Sequence, residues 1–426
     1  MSLPYLEEFG WEAMVLAVNP RFIEGAVLDP LLEKTLPDSL ELTRVRAVPS
    51  RATRAIGLGN LALRALPYLW RAGNRLLKGS SRGHRPQLQK RMFDLVYFST
   101  TQFPVMILGP IWKRKFGIPY VVDFQDPWLD DYYERTGTPP PGGKHRYGLS
   151  RFFAQRLEPR VMSDVSQVIC VSPAYVETLL ARYPHLRRDQ FTMLPFAAAE
   201  HDFDVLKSLN VQQTVFLGGD ERQHWVYVGV VGQIMAHALR MLFSAFRELR
   251  RCSPELWNDV RLHFIGTSYA PFERARKTVE PIAAECGISE LVEERTGRIP
   301  YFEALKALRD ADALLVIGSD SPSYSASKLY PYMFARKPIL AVLHRESPSV
   351  PILKQCRAGE VVTFEPGDAG DKSVVELAQA VQRIYTMAAQ QSAPDMDEKE
   401  LNKYTAREMT RRQCEVFDRA VERPLS

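Results

Sequence analysis

The chain has 426 residues, of which 46% are hydrophobic and 25% charged, with a formal net charge of +5. That length and apolar content suit two domains with full cores and exclude a disordered chain. No run of about eighteen apolar residues occurs, and no basic stretch followed by an apolar one opens the chain, so neither a transmembrane helix nor a signal peptide is indicated. The five cysteines (Cys170, Cys252, Cys286, Cys356 and Cys414) are scattered without paired spacing for zinc. They read as reduced thiols of a cytoplasmic protein.

In chain order, Leu3, Leu6 and Phe9 stand at helical spacing before Gly10, which predicts a first helix with a glycine stop, and Trp11–Val18 reads as a strand. From Leu42 to Phe93 there are twelve basic residues and no acid, so the rest of the chain is net acidic. Leu61, Leu63, Leu66, Leu69, Trp70, Leu76 and Leu77 lie between the basic residues. Two readings stay open: contact with an anionic membrane surface, where each basic residue contributes on the order of 1 kcal/mol, or a solvated helix whose leucines pack on the first domain. Nothing resembles a groove-reading motif or a base-stacking platform, so nucleic acid is not an expected partner.

Buried strands are predicted at Phe93–Ser99, Pro119–Phe124 and Ser166–Ser172, with amphipathic helices between them and a helix running on through Tyr183. Pro139–Gly143 marks a loop. After the strand-like Phe191–Leu194, the stretch containing Gly218-Gly219-Asp220 predicts a domain boundary, giving a first domain at 1–196, a linker at 197–224 and a second domain at 225–395.

In the second half, Trp225–Val228, Arg261–Ile265 and Ala313–Ile317 are strands that run into Gly229, Gly266 and Gly318. Ser325 and Ser327 offer hydroxyl caps to a helix ending near Arg336, and Ile339–Leu343 is the next buried strand. A polar loop feeding a helix at the carboxyl ends of parallel strands is a ready anion site, and Lys328 adds a charge there.

Lys328-Leu-Tyr-Pro-Tyr-Met-Phe-Ala-Arg-Lys-Pro338 resembles a run in the GT-B fold glycosyltransferases, the bacterial group called family 4, where a lysine precedes Glu-Tyr, small residues and Gly-Lys-Pro. Trp225-Val-Tyr-Val-Gly-Val-Val-Gly232, Gly297-Arg-Ile-Pro-Tyr-Phe-Glu-Ala-Leu305, Asp123-Phe-Gln-Asp-Pro-Trp128 and Val171-Ser172 are similar to other parts of the same family, so the resemblance spans almost the whole chain. It implies an α/β protein of two Rossmann-like domains facing a cleft, with residues 396–426 forming a helix that crosses back to the first domain. It also implies a nucleotide sugar as co-substrate, no cofactor and no metal, and transfer to a polysaccharide or lipid-linked acceptor at the cytoplasmic membrane face. The family's first strand and glycine loop would precede Met1, so a chain short at its start is expected, with Trp11–Val18 bordering a gap or an unpaired edge.

The donor residues implied are Gly229, Gly232, Gly266, Arg298, Ile299, Tyr324, Ser325, Ser327, Lys328 and Leu329. Two glutamates of the retaining members fall on Ser323 and Pro331, neither acidic, with Asp320 close by as a substitute carboxylate. For activation of the acceptor hydroxyl, Asp126 is the first choice of general base, with Asp123 and His145 as alternatives; Asp126 before Pro127 also suits a turn or helix cap. Two further readings remain. The missing glutamates favour a non-catalytic relative binding a sugar nucleotide or a transferase partner. A GT-B-like sugar-nucleotide epimerase is disfavoured by the basic segment.

Overall fold

A computed structural model describes residues 1–24, 28–53, 59–79, 93–131, 133–134, 137, 140, 143–268, 270, 274–322, 324–365 and 371–422. The chain divides into two compact units. The N-terminal unit takes Ser2–Leu28, Leu36–Pro195 and Thr410–Ser426, and the C-terminal unit takes Met1, Asp29–Thr35 and Phe196–Met409.

In the N-terminal unit the first residues form two short 3-10 turns, Leu3–Tyr5 and Glu7–Phe9, in place of the predicted helix. Only Leu6 of this segment is buried, so little packing is available to repay helix nucleation, and Gly10, left-handed at φ 79°, ends the segment as expected. Strand β1 (Met14–Val18) pairs in parallel with β2 (Glu41–Val45) as a separate two-stranded sheet. Strands β3 (Val96–Ser99), β4 (Tyr120–Phe124), β5 (Gln167–Cys170) and β6 (Phe191–Met193) form a four-stranded parallel sheet in chain order. Strands β4 and β5 are buried along their whole length, which accounts for their unbroken apolar runs.

Helices α1 (Leu61–Gly79), α2 (Leu108–Phe116), α3 (Lys144–Met162) and α4 (Pro173–Arg182) pack on this framework. The buried side of α1 combines Arg64, Leu69 and Asn74 with small residues, Ala62, Ala65, Ala72 and Gly73. That lets α2 come close: a Cβ on Gly73 would lie 2.2 Å from the indole of Trp112. The basic segment is thus divided between strand β2, a short helix at Ser50–Thr53 and α1. Arg64 is neither solvated nor free for lipid; it is buried and donates to the carbonyls of Val48 at 2.8 Å and Phe22 at 3.3 Å. Trp70, Arg71 and Arg75 are exposed. Arg54, Arg82, Arg85, Lys90 and Arg91 lie outside the described residues, as does most of the Pro139–Gly143 loop.

The long segment of the C-terminal unit begins at Phe196 and takes in the whole stretch predicted as a linker. Helix α5 (Glu200–Ser208) buries Phe203 and Leu206 in this unit's core. There follow β7 (Gln223–Val228), α6 (Ala236–Cys252), β8 (Val260–Ile265), α7 (Glu280–Glu285), β9 (Val292–Arg295), α8 (Tyr301–Asp310), β10 (Ala313–Ile317), α9 (Leu329–Ala335), β11 (Ile339–His344), β12 (Gly359–Phe364) and α10 (Asp371–Ala389). The six strands form one parallel sheet in the order β12-β11-β10-β7-β8-β9. From β7 the chain builds outward to β9, then returns to lay β10 on the other side of β7. The strand order therefore reverses between β7 and β10, the place where open α/β sheets gather ligands at their carboxyl ends. Alternate residues of β7 feed two cores: Trp225 and Tyr227 pack with Phe243, Phe246 and Phe264, while Val226 packs with Leu308 and Tyr332.

Helix α11 (Ala406–Glu422) starts in the C-terminal unit and continues into the N-terminal one. There Phe417 lies against the rings of Trp11 at 5.2 Å and Tyr97 at 5.0 Å, and Arg419 donates to Thr192 Oγ1 at 2.8 Å.

Helix α9 ends at Arg336, which is left-handed at φ 61°, where the resembling family has glycine. A side chain in that conformation costs roughly 1 kcal/mol. The guanidinium is engaged by both carboxylate oxygens of Glu398, one at 2.8 Å, but the pair is largely exposed and contributes at most about 1 kcal/mol. Arg336→Gly is therefore expected to unfold in urea close to the wild type, and Arg336→Ala about 1 kcal/mol below Arg336→Gly. Equal stability of the two variants would show that the turn carries no strain.

Candidate functional site

At the reversal of strand order, β7 passes into Gly229. The end of the strand is held by α9: Val228 N–H donates to Tyr332 Oη at 2.6 Å, and Tyr332 is buried in the core. Gly229 follows at φ 142°, its N–H donating to the Ile265 carbonyl at 2.7 Å. Lys328 crosses directly over it. A Cβ at Gly229 would stand 1.9 Å from Lys328 Cε and 2.5 Å from Nζ, so only glycine leaves this path open.

The Lys328 ammonium donates to Tyr227 Oη and to the Val230 carbonyl at 3.3 Å, and lies 4.5 Å above the Tyr227 ring. Tyr227 Oη in turn donates to the Val230 carbonyl at 2.9 Å. No carboxylate pairs with Lys328 among the described residues. Burial without a counter-charge lowers its pKa from the usual lysine value to about 7. Half-buried at the ends of the central strands, this cation is arranged to receive an anion.

The other residues expected around the donor take different places. Gly266 is left-handed at φ 72°, and Arg298 lies beside it, with Cα and Cγ 3.7 Å from where a Cβ would be. Arg298 is exposed, and Ile299 packs against Val215, Ile265 and Ala307. Gly232 has open space on its side-chain face apart from Ile234 at 3.7 Å. Tyr324 packs in the core, its carbonyl accepting from Ser347 Oγ at 3.1 Å. Ser325 and Ser327 do not cap α9: no side chain does, because Leu329 N–H is already satisfied by the Ala326 carbonyl at 2.9 Å. The charge at this end comes from the lysine and not from a hydroxyl cap. Leu329 is fully buried, so only its main chain can face a ligand.

Asp320 follows β10, with its N–H donating to the Ile234 carbonyl at 2.8 Å. Its Oδ1 is buried without a hydrogen-bond partner, and burial raises its pKa, opposed by the nearby His237 and His344. Pro331 lies within α9, and Ser323 is outside the described residues.

In the N-terminal unit, Asp123 near the end of β4 is buried and accepts from Tyr97 Oη at 2.9 Å and Gln125 Nε2 at 3.0 Å. Burial raises its pKa, and these two bonds oppose the rise. Asp126 is exposed in the loop that follows, where the crowding of the surrounding chain raises its pKa. That direction suits a general base better than an ordinary surface carboxylate. His145 is exposed in the first turn of α3. Asp123 is committed to internal bonds, and Asp126 has the accessible carboxylate.

Residues 5–197 match the model of the glycosyl transferase 4-like domain. A glycosyltransferase from Rickettsia africae ESF-5 is similar in structure, with a TM-score of 0.56 at 11% identity over 99% of this chain and 94% of that one. Anabaena Alr3699/HepE in complex with UDP-glucose gives 0.52 at 13% identity, covering 91% and 88%. A UDP-forming trehalose-phosphate synthase from Burkholderia xenovorans gives 0.51 at 12% identity, covering 76% and 73%. No curated protein sequence matches the chain significantly. The chain carries a glycosyl transferase 4-like domain and has the GT-B fold.

Within the 4-like domain, sequence reasoning missed the residue that supports the Asp126 loop. Glu158 of α3 is fully buried and accepts from Leu129 N–H at 3.0 Å, Arg182 Nη1 at 2.5 Å and Tyr183 Oη at 2.8 Å. In the other half of the GT-B fold, Glu294 does similar work. Its buried carboxylate accepts from Thr267 Oγ1 at 2.5 Å and from the N–H groups of Thr278, Val279 and Glu280 at 3.0, 2.8 and 3.0 Å. Thr278 Oγ1 then donates to the Val231 carbonyl at 3.1 Å, and Val231 N–H to the Thr267 carbonyl at 3.0 Å, which fixes the Gly229–Gly232 turn. The available signal was alternation: Val292 and Glu294 share the buried face of β9. Among the described residues no group of three His, Cys, Asp or Glu side chains is arranged to hold a metal.

Proposed function

We propose that this protein is a glycosyltransferase that moves a sugar from a nucleotide-activated donor to a polysaccharide or lipid-linked acceptor at the cytoplasmic face of a membrane. The observation that carries the reading is Lys328, a cation without a carboxylate partner lying across Gly229 at the strand-order reversal. As the bond between sugar and diphosphate breaks, negative charge accumulates on the leaving group. A preorganised ammonium, aided by Arg298, stabilises that charge. Asp126 is the residue assigned to accept the acceptor's hydroxyl proton. The UDP-glucose complex of HepE and the UDP-forming synthase, similar in fold, support uridine nucleotides as the first donors to try.

The test combines a variant with a pH series. Lys328→Ala is expected to weaken UDP-glucose binding roughly ten- to a hundredfold, the value of a charge-assisted bond to phosphate, while uridine binding changes little. Equal weakening of both would remove Lys328 from the phosphate role. In the wild type, Lys328 has a pKa of about 7 and a bound diphosphate raises it. UDP-glucose affinity should therefore be greatest below pH 7 and fall, by up to about tenfold per unit, as pH rises above 7 and binding requires an added proton. This slope should be absent in Lys328→Ala.

A second reading, a non-catalytic relative that binds the sugar nucleotide, is favoured by Pro331 standing where retaining members have a glutamate. Tight UDP-glucose binding with neither hydrolysis nor transfer would select it.

A further inference from the structure

We propose that helices α1, α2 and α3 together form a docking surface for an anionic lipid bilayer. The inference rests on the membrane-face reading above and extends it from one basic segment to a surface made by three helices. The helices lie side by side, α2 touching both α1 and α3. Each exposes one large apolar side chain: Trp70 at 41%, Ile111 at 38% and Phe152 at 45%. Single exposed apolar side chains are ordinary, but three on adjacent helices, two of them aromatic and all set among cations, gain from a partner surface.

The geometry ties the apolar and basic groups to one another. Lys115 Nζ lies 5.7 Å above the Trp70 ring and donates to Asn74 Oδ1 at 3.1 Å, joining the end of α2 to α1. Ile111 is one turn before Lys115 and so on the same side of α2. On α3, the Arg156 guanidinium stacks 3.7 Å from the centre of the Phe152 ring, one turn away. Arg71, Arg75 and Arg114 are exposed and have no acidic partner among the described residues. The sole acid on the three helices is Glu158, which is buried and bonded to Arg182.

Charge and apolarity are thus presented together. Water alone would reward the cations and not the exposed aromatic rings; an anionic headgroup layer over hydrocarbon rewards both. Aromatic rings with a cation beside them suit the headgroup level, where one face is apolar and the other wet. Among the described residues no helix is long and apolar enough to cross a membrane, so the contact proposed is peripheral.

The experiment is co-sedimentation of the full chain with vesicles of phosphatidylcholine alone or with phosphatidylglycerol added, at low and high salt. Binding is expected only with phosphatidylglycerol and should fall with salt. Arg71→Ser/Arg75→Ser/Arg114→Ser should weaken it roughly a hundredfold, about fivefold per charge. Trp70→Ser/Ile111→Ser/Phe152→Ser should weaken it at unchanged charge. Brominated acyl chains should quench the wild type's tryptophan fluorescence, and less so in Trp70→Phe. Arg240→Ser/Arg247→Ser/Arg251→Ser removes the same charge from α6 and should bind as the wild type does. Equal loss with the α6 variant, or binding indifferent to the three apolar substitutions and matched by duplex DNA, would show a generic polyanion effect and overturn the proposal. Absence of vesicle binding would overturn it too. UDP-glucose titration of the same samples separates the two readings, because donor binding without vesicle binding leaves the transferase standing.

Discussion

Replacing Gly229 with alanine is expected to cut the affinity for UDP-glucose roughly ten- to a hundredfold and to abolish transfer measured with it. The new Cβ would occupy the path of Lys328, 1.9 Å from Cε, so the ammonium must leave its place beside Tyr227 and Val230. The far end of a lysine can swing away, and the fold need not break. The backbone adds a smaller strain, because φ 142° is poorly suited to a side chain. Lys328→Ala should reproduce the binding loss, and the double variant should lose little more, since both substitutions remove one interaction. Additive losses in isothermal titration would mean that Gly229 serves the ligand directly and not through Lys328.

The second large effect concerns stability. Glu294→Ala should destabilise the C-terminal unit by about 3–5 kcal/mol in urea unfolding, because the buried Val279 N–H, the half-buried Thr278 and Glu280 N–H groups and the buried Thr267 hydroxyl lose their shared acceptor, each fully orphaned donor costing about 1–3 kcal/mol before relaxation. Glu294→Gln keeps an acceptor oxygen and should lose about half as much. The Gly229–Gly232 turn depends on the same network through Thr278 and Val231, so Glu294→Gln should also weaken UDP-glucose binding at a temperature where it is still folded. A stability loss under about 1 kcal/mol for Glu294→Ala would show that water replaces the carboxylate.

Much of the fold was legible because its signals are local. Apolar runs such as Ala313–Ile317 and Ile339–Leu343 are buried on both faces of a parallel sheet and admit few other readings. Gly229 and Gly266 were visible as strand-terminal glycines and do adopt positive φ. Gly318 looked the same in sequence, yet its constraint is packing: a Cβ there would stand 2.9 Å from Leu343 Cα and from the Val342 carbonyl oxygen. Sequence cannot tell a glycine that opens space for a ligand from one that lets two strands approach.

The site was less legible where it depends on long-range contacts. Tyr227 and Lys328 are far apart in sequence and meet only because β10 returns to β7. Ser325 and Ser327 have the right residue type for caps, but the turn before α9 satisfies its own backbone. Composition left the basic segment open to membrane contact or to a solvated helix and treated its twelve basic residues alike, whereas the fold took Arg64 into the core to hold Val48 and Phe22.

The most direct test of the central claim is the ionisation of Lys328 itself, followed by NMR of the protein labelled with 13C at lysine Cε. The resonance missing from Lys328→Arg should titrate near pH 7 in the free protein and move up by two units or more when UDP-glucose saturates it, as a diphosphate beside the ammonium requires. A Lys328 resonance that titrates at the ordinary lysine value, or whose midpoint is unmoved by bound UDP-glucose, would contradict the assignment of this lysine to the donor phosphates.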